Sequence, residues 1–196
     1  MQLAFEFCSD LPVRRRRPER LFFGLVSDSE TSARAGQVID RVICEHHLQG
    51  TRLKRERLHV SLHHIGGYKR LRPKFIYAAT QAAKAVAIRS FEMIFRIIKS
   101  FEGAPSNNGR PRRWPLVLLG EGDPVVELHE VLGAAMERNG LVANEHFAPH
   151  MTLLYGSKPI PAQAIEPIRF VVKEFVLIHS ELGFTRYNIL GRWPLR

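Results

Sequence analysis

Hydrophobic and polar positions recur along the chain with two different periods. A period of two is typical of a β-strand, and a period near 3.6 is typical of an amphipathic helix. Short apolar or alternating runs predict strands at Leu21–Val26, Leu58–Ile65, Phe91–Phe101, Trp114–Leu119, His150–Tyr155 and within Ile168–Glu181. The residues that follow Glu181 are rich in turn-forming side chains, and no element is assigned to them.

Three segments carry the helical period. The first begins at Asp28 or Ser29 and ends at Gly50, the second begins at Pro73, and the third runs from Asp123-Pro124 to Gly140. An N-cap side chain, a proline in the first turn and a glycine at the end are the usual helix boundaries. Residues 102–112 contain turn formers throughout and predict a loop. The resulting order of strands and helices predicts an α+β fold.

The charge of the chain is strongly unbalanced. Its 29 Lys and Arg residues outnumber 19 Asp and Glu residues, which gives a net charge of +10 and favours a polyanionic partner. Residues 1–20, which include Arg14–Arg17, contribute a net charge of only +2. The densest basic stretch is residues 50–74, which contains eight Lys and Arg residues and a single acidic residue, Glu56. This stretch brackets the predicted strand Leu58–Ile65.

Several classes of protein are disfavoured by what the sequence lacks. Cys8 and Cys44 form no Cys-x-x-Cys pair, so reduced thiols in a cytoplasmic protein are expected. No apolar run is long enough to span a membrane, and Glu6 and Asp10 interrupt the apolar N-terminus where a signal peptide needs continuity. Glycine-rich phosphate loops and zinc-type cysteine spacings are also missing. We therefore expect no metal, no cofactor, no nucleoside triphosphate and no membrane partner.

The sequence His-x-Ser/Thr-Leu occurs twice. The copies are His59-Val60-Ser61-Leu62 and His150-Met151-Thr152-Leu153, whereas chance predicts roughly 0.07 copies in a chain of this composition. Both copies fall in predicted strands. Because side chains alternate between the faces of a strand, each histidine shares a face with the hydroxyl residue two positions later.

Two such strands side by side would present two imidazoles to one cleft. One imidazole can then act as a general base and the other as a general acid, while Ser61 and Thr152 donate hydrogen bonds to a phosphate. The sequence does not separate the two roles, although we favour His59 as the acid and His150 as the base. By simple alternation His63 would share the face of His59, where we expect a surface histidine or a supporting contact.

The two motif segments resemble the signature motifs of the 2H phosphoesterase superfamily. Leu21–Leu25, Phe175–Glu181 and the C-terminal Arg186-Tyr187…Trp193-Pro194-Leu195 are further similar to its 2′-5′ RNA ligase branch, the RNA 2′,3′-cyclic phosphodiesterases. The resemblance implies a bilobal, pseudo-twofold arrangement of duplicated antiparallel sheets with outer helices and a central cleft. Residues 21–196 would form this single domain, and residues 1–20 would be a basic extension that the resemblance does not explain.

The family resemblance also implies an activity. The expected reaction opens a terminal 2′,3′-cyclic phosphate of RNA to a 2′-phosphate without metal. Reverse 2′-5′ ligation is the expected second activity. We expect the protein to be a monomer. Ser61 stands where threonine is commoner in the family, and this exchange keeps the hydroxyl donor. Possible RNA contacts are Trp114 and Phe147 as stacking surfaces, with Arg113 and Arg186 as phosphate-binding cations.

Two other functions fit the same sequence. The basic stretch at residues 50–74 is also compatible with a non-catalytic RNA-binding module, whose affinity for RNA would be salt-sensitive and independent of the terminal phosphate. A 2H enzyme that acts on a small cyclic nucleotide or on an ADP-ribose cyclic phosphate is the other alternative. Comparing turnover of cyclic mononucleotides and of RNA ends distinguishes this alternative from the RNA enzyme.

Overall fold

The computed structural model describes residues 19–103, 112–181 and 187–196. This part of the chain contains three α-helices, namely α1 (Ser29–His46), α2 (Pro73–Lys84) and α3 (Asp123–Arg138). Its strands are β1 (Glu19–Val26), β2 (Gly50–Arg52), β3 (His59–Tyr68), β4 (Phe91–Ser100), β5 (Trp114–Glu121), β6 (His150–Gly156), β7 (Gln163–Val172), β8 (Glu174–Glu181) and β9 (Tyr187–Pro194). The predicted α+β class is confirmed.

The strands form one antiparallel sheet that consists of two halves. The strand order is β7-β4-β5-β6-β3-β1-β8-β9, and the short β2 pairs with the outer part of β6. Within each half the strands share long ladders, but β3 and β6 share only the pair Val60–Met151. The two halves are thus joined through one residue from each of the two motifs.

The helices begin where the sequence predicts and cover one face of the sheet. The side chain of Asp28 accepts a hydrogen bond of 2.7 Å from the N–H of Thr31, which caps α1, and Pro73 occupies the first turn of α2. Apolar side chains of all three helices join the main core, including Val42, Ala79 and Leu132. Burial of these side chains leaves the opposite face of the sheet free to carry polar groups.

The segment Ile168–Glu181, which is predicted to contain a long strand, holds all of β8 and also the end of β7. The structure divides it at Lys173 into β7, which pairs with β4, and β8, which pairs with β1 in the other half of the sheet. Alternation of buried and exposed residues ends with β7, whereas Phe175–Ile178 are buried on both faces of β8. The hydrophobic pattern gives almost no signal at Lys173, where the chain passes from pairing with β4 to pairing with β1.

Two predictions from the sequence concern regions outside the described residues. Arg14–Arg17 lie in residues 1–18, so the basic extension stays a prediction. Residues 104–111 include most of the predicted loop at 102–112. Among the helices that are described, none is long and apolar enough to cross a membrane.

Candidate active site

The two motifs meet at their central residues. Val60 of β3 lies opposite Met151 of β6 in antiparallel register, and both side chains are fully buried in the main core. Because neighbouring residues on a strand point to opposite faces, the flanking histidines and hydroxyl residues lie on the other face of the sheet. The structure thus brings His59, Ser61, His150 and Thr152 together on one face around a local twofold axis.

Both motif histidines are held in the same way. Nδ1 of His59 lies 2.8 Å from the carbonyl oxygen of Arg57, and Nδ1 of His150 lies 2.7 Å from the carbonyl oxygen of Ala148. A carbonyl oxygen only accepts hydrogen bonds, so each Nδ1 carries the proton. In the neutral ring the lone pair is then on Nε2, which is the nitrogen available for proton transfer.

Ser61 completes the first motif. Its hydroxyl lies 3.1 Å from Nε2 of His59, so the hydroxyl donates to this nitrogen when the ring is neutral. Ser61 is exposed and Thr152 is half-buried, which leaves both residues within reach of a small anion that enters between the motifs. Imidazoles and hydroxyls around one point are the donors and acceptors that proton transfer at a phosphate requires.

The ring of His59 lies against an apolar and aromatic surface. It packs on Phe22 at a centroid distance of 5.2 Å and against the ring of Tyr187 at 5.3 Å. Phe22 belongs to a second hydrophobic cluster with Val176 and Ile178, on the motif face of the sheet. Loss of water around the ring, together with the positive charges of Arg57 and His150, lowers the pKa of His59 to about 4. His59 is therefore neutral at pH 7.

His150 has an aromatic neighbour of its own. The ring of Phe101 meets the ring of His150 edge to face at a centroid distance of 4.8 Å. The ammonium group of Lys99 lies over the ring of Phe101 at 5.5 Å, as the guanidinium of Arg57 lies over Tyr187 at 4.6 Å. Each motif histidine is therefore next to an aromatic ring that carries a cation on its face.

A β-bulge at the last residue of each motif corrects the prediction for His63. In the first motif Leu62 is the extra residue between the pairs Ser61–Gly24 and His63–Phe23, and Leu153 is the extra residue in the second motif. The bulge reverses the alternation of faces. His63 therefore turns into the interior, where it is buried, stacks on His129 at 3.9 Å and donates from Nε2 to the carbonyl oxygen of His129.

Three of the predicted RNA-contact residues lie away from the motifs. Trp114 pairs with Gly156 at the far end of β5, on the face opposite His150, and the guanidinium of Arg112 covers its ring. Phe147 stacks on His129 at 4.2 Å, and Arg113 donates to the hydroxyl of Thr51. Arg186 lies outside the described residues.

Several residues that the sequence does not mark as site candidates surround the histidines. Arg57, Tyr187, Phe22 and Phe101 contact the motif rings, although none of them was singled out as a candidate. The position of Arg57 two residues before His59 is the one local signal, because a carbonyl so near in the chain can accept a hydrogen bond from the histidine ring. Across the described ranges, no group of three or more His, Cys, Asp or Glu side chains forms a metal-binding cluster.

Duplicated histidine motifs that meet on an antiparallel α+β scaffold define the 2H phosphoesterase class. The family model described as the 2′-5′ RNA ligase superfamily matches residues 30–183, and the chain belongs to this family. Among solved structures, LigT of E. coli in its apo form is similar with 23% identity and a TM-score of 0.63, covering 91% of this chain and 98% of LigT. TT0787 of Thermus thermophilus is 21% identical with a TM-score of 0.66, covering 90% of this chain and 98% of TT0787. Comparison with curated proteins gives no match.

Proposed function

We propose that the protein hydrolyses the terminal 2′,3′-cyclic phosphate of RNA to a 2′-phosphate, using His59 and His150 as a general acid–base pair. The observation that carries this proposal is the equivalent placement of the two imidazoles, each held through Nδ1 by a backbone carbonyl and each on the same face of the sheet. Ser61 and Thr152 then donate hydrogen bonds to the non-bridging oxygens of the phosphate.

The protonation of the resting site supports one assignment of roles. His59 is neutral at pH 7 and its unprotonated Nε2 can accept a proton, as a general base must, once the Ser61 hydroxyl turns from this nitrogen to the phosphate. His59 then takes a proton from the attacking water, the bond between phosphorus and O3′ breaks, and His150 donates its proton to the departing O3′. This assignment reverses the one favoured from the sequence, because burial beside Phe22 and Tyr187 could not be read from the motif.

The same geometry supports 2′-5′ RNA ligation as a second reaction of the cyclic phosphate. Attack by the 5′-hydroxyl of a second RNA, in place of water, on the cyclic phosphate forms a 2′-5′ phosphodiester while O3′ leaves. No nucleotide is consumed, since the phosphorus–oxygen bond that breaks supplies the energy of the bond that forms. Crystal structures of E. coli LigT with phosphate and with 3′-AMP support a phosphate-binding role for this fold.

The test is turnover of a short RNA that ends in a 2′,3′-cyclic phosphate, measured in the presence of EDTA. We expect a product with a 2′-phosphate and a 3′-hydroxyl. A 3′-phosphate product, or RNA binding without turnover by the wild-type protein, contradicts the proposal. The second outcome favours the RNA-binding module instead. Hydrolysis of cyclic mononucleotides with no reaction at RNA ends favours the small-substrate alternative.

A further inference from the structure

A cavity of about 480 Å³ opens beside His59. Val26 and Ile189 supply its apolar lining, and Lys54, Glu56, Arg57, Tyr187 and Arg192 supply its polar lining. Two of these residues also touch the motif histidine, since Arg57 binds Nδ1 of His59 through its carbonyl and Tyr187 packs against the imidazole. The cavity is thus continuous with the surroundings of His59 and is separate from the motif hydroxyls.

Cations outnumber carboxylates in this cavity. Lys54 lies 4.0 Å from Glu56, and Arg192 pairs with Glu174, which is not part of the lining. Among the described residues no carboxylate lies within salt-bridge distance of Arg57, and its buried Nε has no hydrogen-bond partner. A half-buried guanidinium whose charge is not compensated favours binding of an anion.

Two groups of the protein already contact the aromatic ring in the cavity. The guanidinium of Arg57 covers one face of Tyr187 at 4.6 Å, and the ring of His59 meets Tyr187 at an interplanar angle of 86°. A nucleobase needs a free aromatic face for stacking. The groups that the cavity offers to a ligand are therefore N–H donors of cations, which suit a phosphate better than a base.

We propose that this cavity binds the phosphodiester one nucleotide upstream of the reacting end, so that the substrate is an RNA chain and not a mononucleotide. The proposal rests on the proposed function, which places the terminal cyclic phosphate between His59 and His150. Arg57 and Tyr187 connect the two positions, because both residues contact His59 and line the cavity. Each cation at such a site adds electrostatic attraction to the RNA backbone.

The experiment compares two dinucleotides that both end in a 2′,3′-cyclic phosphate. One has the natural phosphodiester between its nucleosides, and the other has an uncharged methylphosphonate at that position. We expect the wild-type kcat/KM to be at least about tenfold higher for the charged dinucleotide, which corresponds to one charge-assisted contact. The ratio of the two kcat/KM values should fall toward one in Lys54→Gln and in Arg192→Gln.

Both substituted side chains are more than half exposed, so their replacement does not remove core packing. Arg138→Gln is the matched control, because this exposed arginine lies in the last turn of α3 and outside the cavity lining. Its ratio should equal the wild-type ratio. A wild-type ratio near one overturns the proposal, and so does an unchanged ratio in both Lys54→Gln and Arg192→Gln. Absence of turnover with either dinucleotide overturns the proposed function itself.

Discussion

Val60 and Met151 form the single backbone-paired position between β3 and β6, and each is the second residue of a His-x-Ser/Thr-Leu motif. The pairing fixes how the motif histidines and hydroxyl residues face one another. Because the two central side chains point into the core, the four flanking polar side chains emerge together on the opposite face. One apolar contact thus aligns two motifs that are 91 residues apart in the chain.

Ser61 tests whether the motif hydroxyl acts at the phosphate. Ser61→Ala removes a donor that can stabilise charge on the non-bridging oxygens, and we expect kcat to fall by on the order of 10². Ser61→Thr is the matched control, since it keeps the hydroxyl and should keep most of the activity. Steady-state rates with an RNA 2′,3′-cyclic phosphate measure both effects. An alanine variant as active as wild type would show that Ser61 has no such role.

The pH dependence of kcat/KM reports the resting protonation of the base. With His59 as the base, the rate is lost as this ring becomes protonated, so activity rises with pH through an apparent pKa near 4. In the enzyme–substrate complex the phosphate anion favours the charged imidazole of His59. The rising limb of kcat therefore lies at higher pH than that of kcat/KM. Rates between pH 3.5 and 8, with circular dichroism to verify folding, measure both limbs. A rising limb of kcat/KM at the ordinary histidine value of about 6.5 would contradict the assignment.

Much of the site could be predicted because it depends on local spacing. The His-x-Ser/Thr-Leu pattern places a histidine and a hydroxyl on one face of any strand, whatever the rest of the fold. The duplication of the pattern predicted that two strands would meet, and β3 and β6 are neighbours in the sheet. The helix starts also agree with local signals, since Asp28 caps α1 and a proline lies in the first turn of α2 and of α3, although Gly122 and not Asp123 is the N-cap residue of α3.

Other features depend on contacts between residues far apart in the chain. The bulge at Leu62 is set by pairing with β1, so simple alternation placed His63 on the wrong face. Tyr187 reaches His59 because β9 returns to the edge of β8, and β9 contains Asn188, Gly191 and Pro194, which concealed the strand in the sequence. The same holds for the low pKa of His59, which needs the assembled surface around the ring.

The buried histidines make stability depend on pH. His129 is buried between His63 and Phe147, and desolvation followed by the charge of His63 lowers its pKa to about 4. The unfolded chain takes up protons near pH 6.5, so the free energy of unfolding should decrease as the pH falls from 6.5 to 4. Urea unfolding at a series of pH values measures this decrease. His59 adds to the decrease, because its pKa in the folded protein is also lowered to about 4.

The variant His129→Phe isolates the part that comes from His129. Phenylalanine keeps a ring between His63 and Phe147 and removes a buried Nε2 that has no hydrogen-bond partner among the described residues. We expect a smaller loss of stability between pH 6.5 and 4 than in wild type. An equally steep loss would show that His129 does not take up a proton on unfolding in this range.

Gly24 provides space beside the first motif. An added Cβ at this position would lie 3.0 Å from the carbonyl oxygen of Val60 and 3.6 Å from Cδ2 of His59. Gly24→Ala should therefore shift β3 next to the imidazole and lower kcat by about tenfold or more, since small displacements of catalytic groups are costly. Gly67→Ala is the control, because its Cβ would meet no atom within 4 Å. Equal kcat values for the two variants would show that His59 tolerates the shift.

The most direct test of the central claim compares kcat of His59→Ala, His150→Ala and the double variant on an RNA 2′,3′-cyclic phosphate. Two imidazoles that act on one proton-transfer sequence should each be indispensable, so each single variant loses about 10²–10⁴-fold. The double variant should lose little more than either single variant, as residues that act as a unit do. Near-wild-type kcat in either single variant would contradict the two-histidine mechanism.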